Sequence, residues 1–167
     1  MSTSLHRRAC LLGLLAVSTA RAQDKERTRL LLNILASDGV NPDDAGRAAP
    51  IRLRIYELRD VQAFQEADYF SLDEKDRTLL GADLLARDEF ILRPGESRRI
   101  ERSSHPQTRA IGVLAGYRSL AQSTWRVVQR LPDAPDAAWY RALVPANKSD
   151  LRIELQAQGI AVSNNAS

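Results

Sequence analysis

From Ile51 the chain alternates. Ile51, Leu53 and Ile55 fall on one side, Arg52 and Arg54 on the other. A period of two predicts a strand packed on one face and wet on the other. Similar runs predict strands at Leu30–Ala36, Ile51–Leu58, Glu89–Arg93, Ser97–Arg102, Arg109–Arg118, Trp125–Leu131 and Leu151–Ala157. Ile160–Val162 extends the last of these past Gly159. Pro94-Gly95-Glu96 reads as a turn that folds the third and fourth strands into a hairpin. Gly112 and Gly116, inside the most apolar run, predict close approach of a neighbour or a bulge. One stretch changes period. Val61, Phe64, Ala67 and Phe70 recur every third residue after Asp60, which suits a helix face. Ser71 and Glu74 have capping-box spacing, so a second short helix runs to Leu80 and stops at Gly81. The pattern as a whole predicts a mainly β protein. It is a sandwich of seven or eight strands with a short helical insertion after the second.

Two connections are long. Ser37 to Pro50 joins the first two strands, well beyond the usual hairpin loop of about 2–5 residues. Asp133 to Pro145 carries Trp139 and Tyr140, which serve either as interface anchors or as cover for the end of the core.

Composition narrows the picture. With 167 residues, 44% hydrophobic and 5% aromatic, the chain suits one domain with an aliphatic core. The net charge of +3 is not a sign of anionic partners. Arg7, Arg8 and Arg21 lie in the first 22 residues, which hold no Asp or Glu. The remainder is balanced at 21 basic and 21 acidic residues. Net charge therefore gives no support to a nucleic-acid or anionic-lipid partner.

Residues 1–22 have the form of an export signal: a basic start, an apolar stretch from Ala9 to Thr19, and Ala20-Arg21-Ala22 before a cut between Ala22 and Gln23. The apolar stretch is short of the ~20 residues a spanning helix needs. Paired Arg7-Arg8 leaves Sec and twin-arginine export both open. Residues 23–29 form a polar lead-in, 30–162 the sandwich and 163–167 a frayed tail. Cys10 is the one cysteine and lies within the signal. The mature chain is then without disulfides, thiolate chemistry or Cys ligands for zinc.

Catalytic signals are weak. His105 is the one histidine outside the signal, in a loop beside Pro106. No G-x-S-x-G motif supplies a serine nucleophile. Asp73, Glu74 and Asp76 read as a solvated helix face. Asp38, Asn41, Asp43 and Asp44 lack the spacing of a calcium loop. Gly112 and Gly116 sit within a strand and cradle no phosphate. The residues point to no enzyme, no metal and no cofactor, and to an exported binding module.

Several stretches taken in order are more specific. They are NPDDAGRAAPIRLRIYELRD (Asn41–Asp60), AFQEADYFSL (Ala63–Leu72), LLGADLL (Leu79–Leu85), RPGES (Arg93–Ser97) and the strand around Trp125-Arg126-Val127-Val128. Together they resemble the type VI secretion outer-membrane lipoprotein family TssJ, also called VasD, from about Leu30 to Leu131. The resemblance implies a transthyretin-like sandwich and a structural role in the TssJ-TssL-TssM membrane complex. It implies a location in the periplasm, at the periplasmic face of the outer membrane. The partner it implies is the periplasmic C-terminal region of TssM, bound through the loop between strands one and two. Here that loop is Ser37–Pro50. Asn41 belongs to its matching pattern, and Asp38, Val40, Asp43, Asp44 and Arg47 are the side chains expected to be free for a partner. Family members mature at a lipid-bearing cysteine, whereas Gln23 follows the apolar stretch here. Membrane association is then expected through partners or an uncleaved N-terminus. The competing expectation is a soluble periplasmic carrier or ligand-binding sandwich, which requires an apolar cavity between the sheets.

Overall fold

The computed structural model describes residues 27–133 and 147–165. The signal and its Ala22–Gln23 cut, Trp139 and Tyr140 lie outside these. Eight strands form two sheets of four: β1 (Arg29–Ala36), β2 (Ile51–Leu58), β3 (Leu84–Leu92), β4 (Ser97–Ser103), β5 (Ala110–Ala115), β6 (Arg126–Arg130), β7 (Lys148–Leu155) and β8 (Ile160–Asn164). One sheet has the order β4-β1-β7-β8 and the other β3-β2-β5-β6. Every pairing is antiparallel except that of β1 with β7. The expected mainly β sandwich with a helical insertion after the second strand is what forms. The insertion comprises α1 (Gln62–Glu66), α2 (Tyr69–Leu80) and a 3-10 turn at Gly81–Asp83.

Between the sheets, Leu30, Leu32, Leu53, Ile55, Val113, Leu151 and Ile153 come from alternate positions and are fully buried. Alternation on a pleated strand places them on one face, and each large side chain there is worth about 2–5 kcal/mol against truncation to Ala.

Three expectations are corrected. β3 and β4 make no hairpin, since β3 pairs with β2 and β4 with β1. The turn between them is held by the end of β1: Gly95 N–H donates to Ala36 O at 3.0 Å and Ala36 N–H to Glu96 O at 2.9 Å. It therefore carries the chain from one sheet to the other. Ile160–Val162 does not extend β7. The chain reverses at 156–159, and β8 runs back beside β7. Ser71 does not cap α2. The break falls at Ala67-Asp68, where the Asp68 carboxylate accepts from Ser71 N–H at 3.0 Å.

The largest correction concerns the outer face of the second sheet. Arg52, Arg54 and Tyr56 do point away from the inter-sheet core, but α1 and α2 cover that face over Arg54 and Tyr56. Tyr56, Leu58, Phe64, Leu72 and Leu80 form a second buried cluster. Asp76, expected on a solvated helix face, is 4% exposed. It accepts from Tyr56 Oη at 3.0 Å and from Arg87 at 2.8 Å. Arg54 is buried among Glu89 (2.5 Å), Asp73 (3.2 Å) and the Leu72 and Asp73 carbonyls. Asp73 also pairs with Arg52. Burial pushes the Asp76 carboxyl up, but donation from Arg87 and Tyr56 outweighs this and holds it below the usual carboxylate range.

Gly112 makes the covering possible. A Cβ there would lie 3.0 Å from Leu58 and Phe64, so close approach of a neighbour is the reason for glycine. Arg126 then reaches over from β6. Its Nη1 donates to Phe64 O at 2.7 Å and Ala67 O at 2.5 Å, satisfying carbonyls at the end of α1.

Candidate docking surface

The loop from Ser37 to Pro50 closes one end of the sandwich without secondary structure. It is nonetheless built from specific bonds. Val40 is fully buried and joins the inter-sheet core. Asn41 adopts a φ of +50°, a left-handed conformation that asparagine tolerates better than most residues. Its side chain bonds in two directions: Nδ2 donates to Pro50 O at 2.9 Å, and Oδ1 accepts from Arg118 N–H at 2.8 Å. The first bond closes the loop and the second ties it to the segment after β5. Asn41 N–H donates to Ala157 O at 3.2 Å, which ties the loop to the β7–β8 turn.

The tip is a second, smaller unit. The Asp43 carboxylate accepts from the backbone N–H of Ala45 (3.0 Å) and Arg47 (2.9 Å), and from Arg47 Nε at 2.8 Å. Gly46, at φ +76°, makes the reversal between them. The bond from Arg47 N–H is the chief reason the Asp43 carboxyl is held below the usual range, with the Arg47 guanidinium and Ala45 N–H adding to it.

The six residues expected to serve a partner therefore divide. Val40 is corrected outright, because its side chain is core. Asn41 and Asp43 spend their polar atoms on the loop itself and set its shape. Asp38, Asp44 and Arg47 are exposed. They stand on a pre-formed scaffold with Ala45, Ala48 and Pro50 around them. A pre-formed loop loses less entropy on binding than a floppy one.

Beside the loop, Tyr117 Oη donates to Gly159 O at 2.6 Å, and burial raises its phenol above the ordinary range. The crevice between Asn41, Pro42, Tyr117 and Ala157 holds about 10 Å³, room for one water and no ligand. His105 stands on an exposed loop, its Nδ1 accepting from Gln107 N–H at 3.1 Å. Among the described residues no three His, Cys, Asp or Glu converge as a metal site, and no helix is long and apolar enough to cross a membrane.

A sandwich with a buried aliphatic core and a shaped, charged loop has the form of a binding or assembly module. The comparisons give the family. The model described as "Type VI secretion lipoprotein, VasD, EvfM, TssJ, VC_A0113" matches residues 28–158, and the chain belongs to that family. The T6SS lipoprotein TssJ1 from Pseudomonas aeruginosa is 43% identical, covering 84% of this chain and 98% of its own at a TM-score of 0.73. Lip from Serratia marcescens, a membrane-bound component of the type VI secretion system, is 30% identical over 81% of this chain and 97% of its own, also at 0.73. A chain of a solved type VI membrane complex is 26% identical over 81% and 98%, at 0.66. Among curated proteins none matches. Membership makes the chain a structural, envelope-associated periplasmic component of type VI secretion rather than an enzyme.

Proposed function

We propose that this chain is a structural subunit of the type VI trans-envelope membrane complex, docking the periplasmic C-terminal region of TssM through the exposed face of the 37–50 loop. The observation that carries the reading is the division of labour in that loop. Val40, Asn41 and the Asp43–Arg47 pair fix its shape, which leaves Asp38, Asp44 and the exposed side of the Arg47 guanidinium outward on a bonded support. Membership of the TssJ family and the likeness to a chain of the type VI membrane complex support the assembly role. The Leu, Ile and Val side chains packed between the sheets among the described residues favour it over a carrier, which needs a cavity there. In this reading the sandwich sits at the periplasmic face of the outer membrane, alongside TssM and TssL. Partners or the N-terminal segment before Arg27 hold it there.

The test separates surface from shape. Asp44→Arg changes an exposed charge and leaves every described loop bond intact. It is expected to weaken TssM binding and alter its salt dependence, because rim charges act on encounter and register. Unchanged affinity at every salt concentration would remove the loop from the interface.

A further inference from the structure

Among the described residues two large apolar side chains are strongly exposed, Phe70 at 64% and Ile91 at 68%. Single exposed hydrophobics are ordinary on protein surfaces. These two are distinguished by their position. Ile91 is the cross-strand partner of Arg52, on the outer face of the second sheet. Phe70 stands on α2 three residues before Asp73, so nearly one turn separates them on the same side of the helix. Asp73 forms the ion pair with Arg52. Ile91 thus lies across from Arg52, and Phe70 lies a turn from the Asp73 that pairs with it; Arg52 follows Pro50 and Ile51, so it begins where the loop ends.

The frame around them is rigid. Tyr69 packs edge-on against Phe70 at 5.6 Å and against Trp125 at 5.6 Å. A Cβ at Gly116 would lie 2.9 Å from Tyr69 Oη and 3.7 Å from Arg52 Cβ, so the start of α2 sits directly on β2 and the end of β5. Two residues beyond Gly116, the N–H of Arg118 donates to Asn41 of the loop. A continuous set of contacts therefore links the start of α2 to the loop. Ordinary helix geometry explains the exposure of Phe70: α2 turns Leu72, Asp76 and Leu80 to the sheet, which leaves position 70 on its flank.

We infer that Phe70 and Ile91 are the apolar anchors of the docking surface whose charged part is the loop, and that they receive apolar side chains of the same protein partner. This rests on the proposed docking role of the loop. Interfaces commonly combine a few buried aromatic or aliphatic anchors with a polar rim. The loop supplies Asp38, Asp44 and Arg47 but no large exposed apolar side chain, so by itself it is all rim. The patch beyond Pro50 supplies the missing kind of contact.

The experiment compares three proteins against the purified periplasmic C-terminal region of the host's TssM: the wild type, Phe70→Ser with Ile91→Ser, and Asp44→Arg. Thermal unfolding and sedimentation are recorded for each. The double serine variant is expected to keep its unfolding temperature and lose affinity about tenfold or more, mainly through faster dissociation. Asp44→Arg is expected to act mainly on association and its salt dependence. If the serine variant binds as the wild type while Asp44→Arg does not, the anchors are wrong and the loop stands. If the serine variant alone is impaired, the loop reading fails and the patch is the interface. If the wild type self-associates and the serine variant does not, with TssM binding equal in both, the occupant is a second copy and the inference is overturned. Should Ser at both positions lower the unfolding temperature, Phe70→Lys and Ile91→Lys are measured singly. Each keeps a long stem over the patch, and normal binding by both would likewise overturn it.

Discussion

The two sheets look alike in sequence and differ on their outer faces. On the first, Arg29, Asp150, Arg152 and Glu154 alternate with buried Leu and Ile and form short-range ion pairs open to water. On the second, Arg52, Arg54 and Glu89 alternate in the same manner, yet Arg54 is buried beneath α2 and bonded on every side. An alternating charge says that a side chain avoids the inter-sheet core. Whether it meets water depends on what the rest of the chain lays over it. Exposed ion pairs are worth about 0–1 kcal/mol, while breaking a buried one costs about 3–5 kcal/mol because an uncompensated charge remains.

The largest effect should follow Arg54→Ala. It leaves Glu89 and the Leu72 and Asp73 carbonyls short of a donor, removes a cation beside Asp73, and is expected to cost about 3–5 kcal/mol in urea unfolding. Next comes Gly112→Val. The new methyls meet Leu58 and Phe64 where even a Cβ is tight, so α1 is lifted at a cost of about 1–3 kcal/mol, with loss of near-ultraviolet aromatic dichroism. Arg152→Ala, its counterpart on the open sheet, should change stability by under about 1 kcal/mol. A loss as large as that at Arg54 would abolish the contrast. The smallest global effect belongs to Asp43→Ala, which should leave the sandwich intact and speed amide exchange at Ala45 and Arg47.

Acid offers a route to the same loosening. The folded carboxyl of Asp43 is held below the ordinary aspartate value of 3.8, so its contribution is complete above that value and is lost as pH falls through the lower, folded one. Asp76 has the same sign. Loop amide shifts should therefore be flat from pH 5 to 8 and move only below pH 4.

Much of this fold was legible from alternation alone. β2 begins and ends where its pattern does, and the inward set of Ile51, Leu53 and Ile55 is correct, because burial between sheets is written at a period of two. Gly112 was legible as a close approach, though not what approached. The sheet assignment of β4 was not legible. A Pro-Gly turn reads as a hairpin unless the end of β1, some 60 residues earlier in the chain, is known to take its backbone bonds. Asp76 was hidden because its charge suggests water, while its partners Tyr56 and Arg87 stand on the two strands beneath α2 and are known only once the helix is laid over them. In the loop, length set the segment apart, but the direction of each side chain was only partly readable. Val40 is its one large aliphatic residue, a signal that it turns inward. Asn41 and Asp43 look like free polar groups until their backbone partners are in place.

The central claim concerns which surface meets the partner. Hydrogen–deuterium exchange of the chain, alone and with the periplasmic C-terminal region of TssM, tests it across all faces at once. Protection at 38–48 and at 69–70 and 90–91, with β7 and β8 unchanged, is the predicted result. Protection on the open charged face around Arg152 and Glu154, with the loop exchanging as in the free protein, would contradict it.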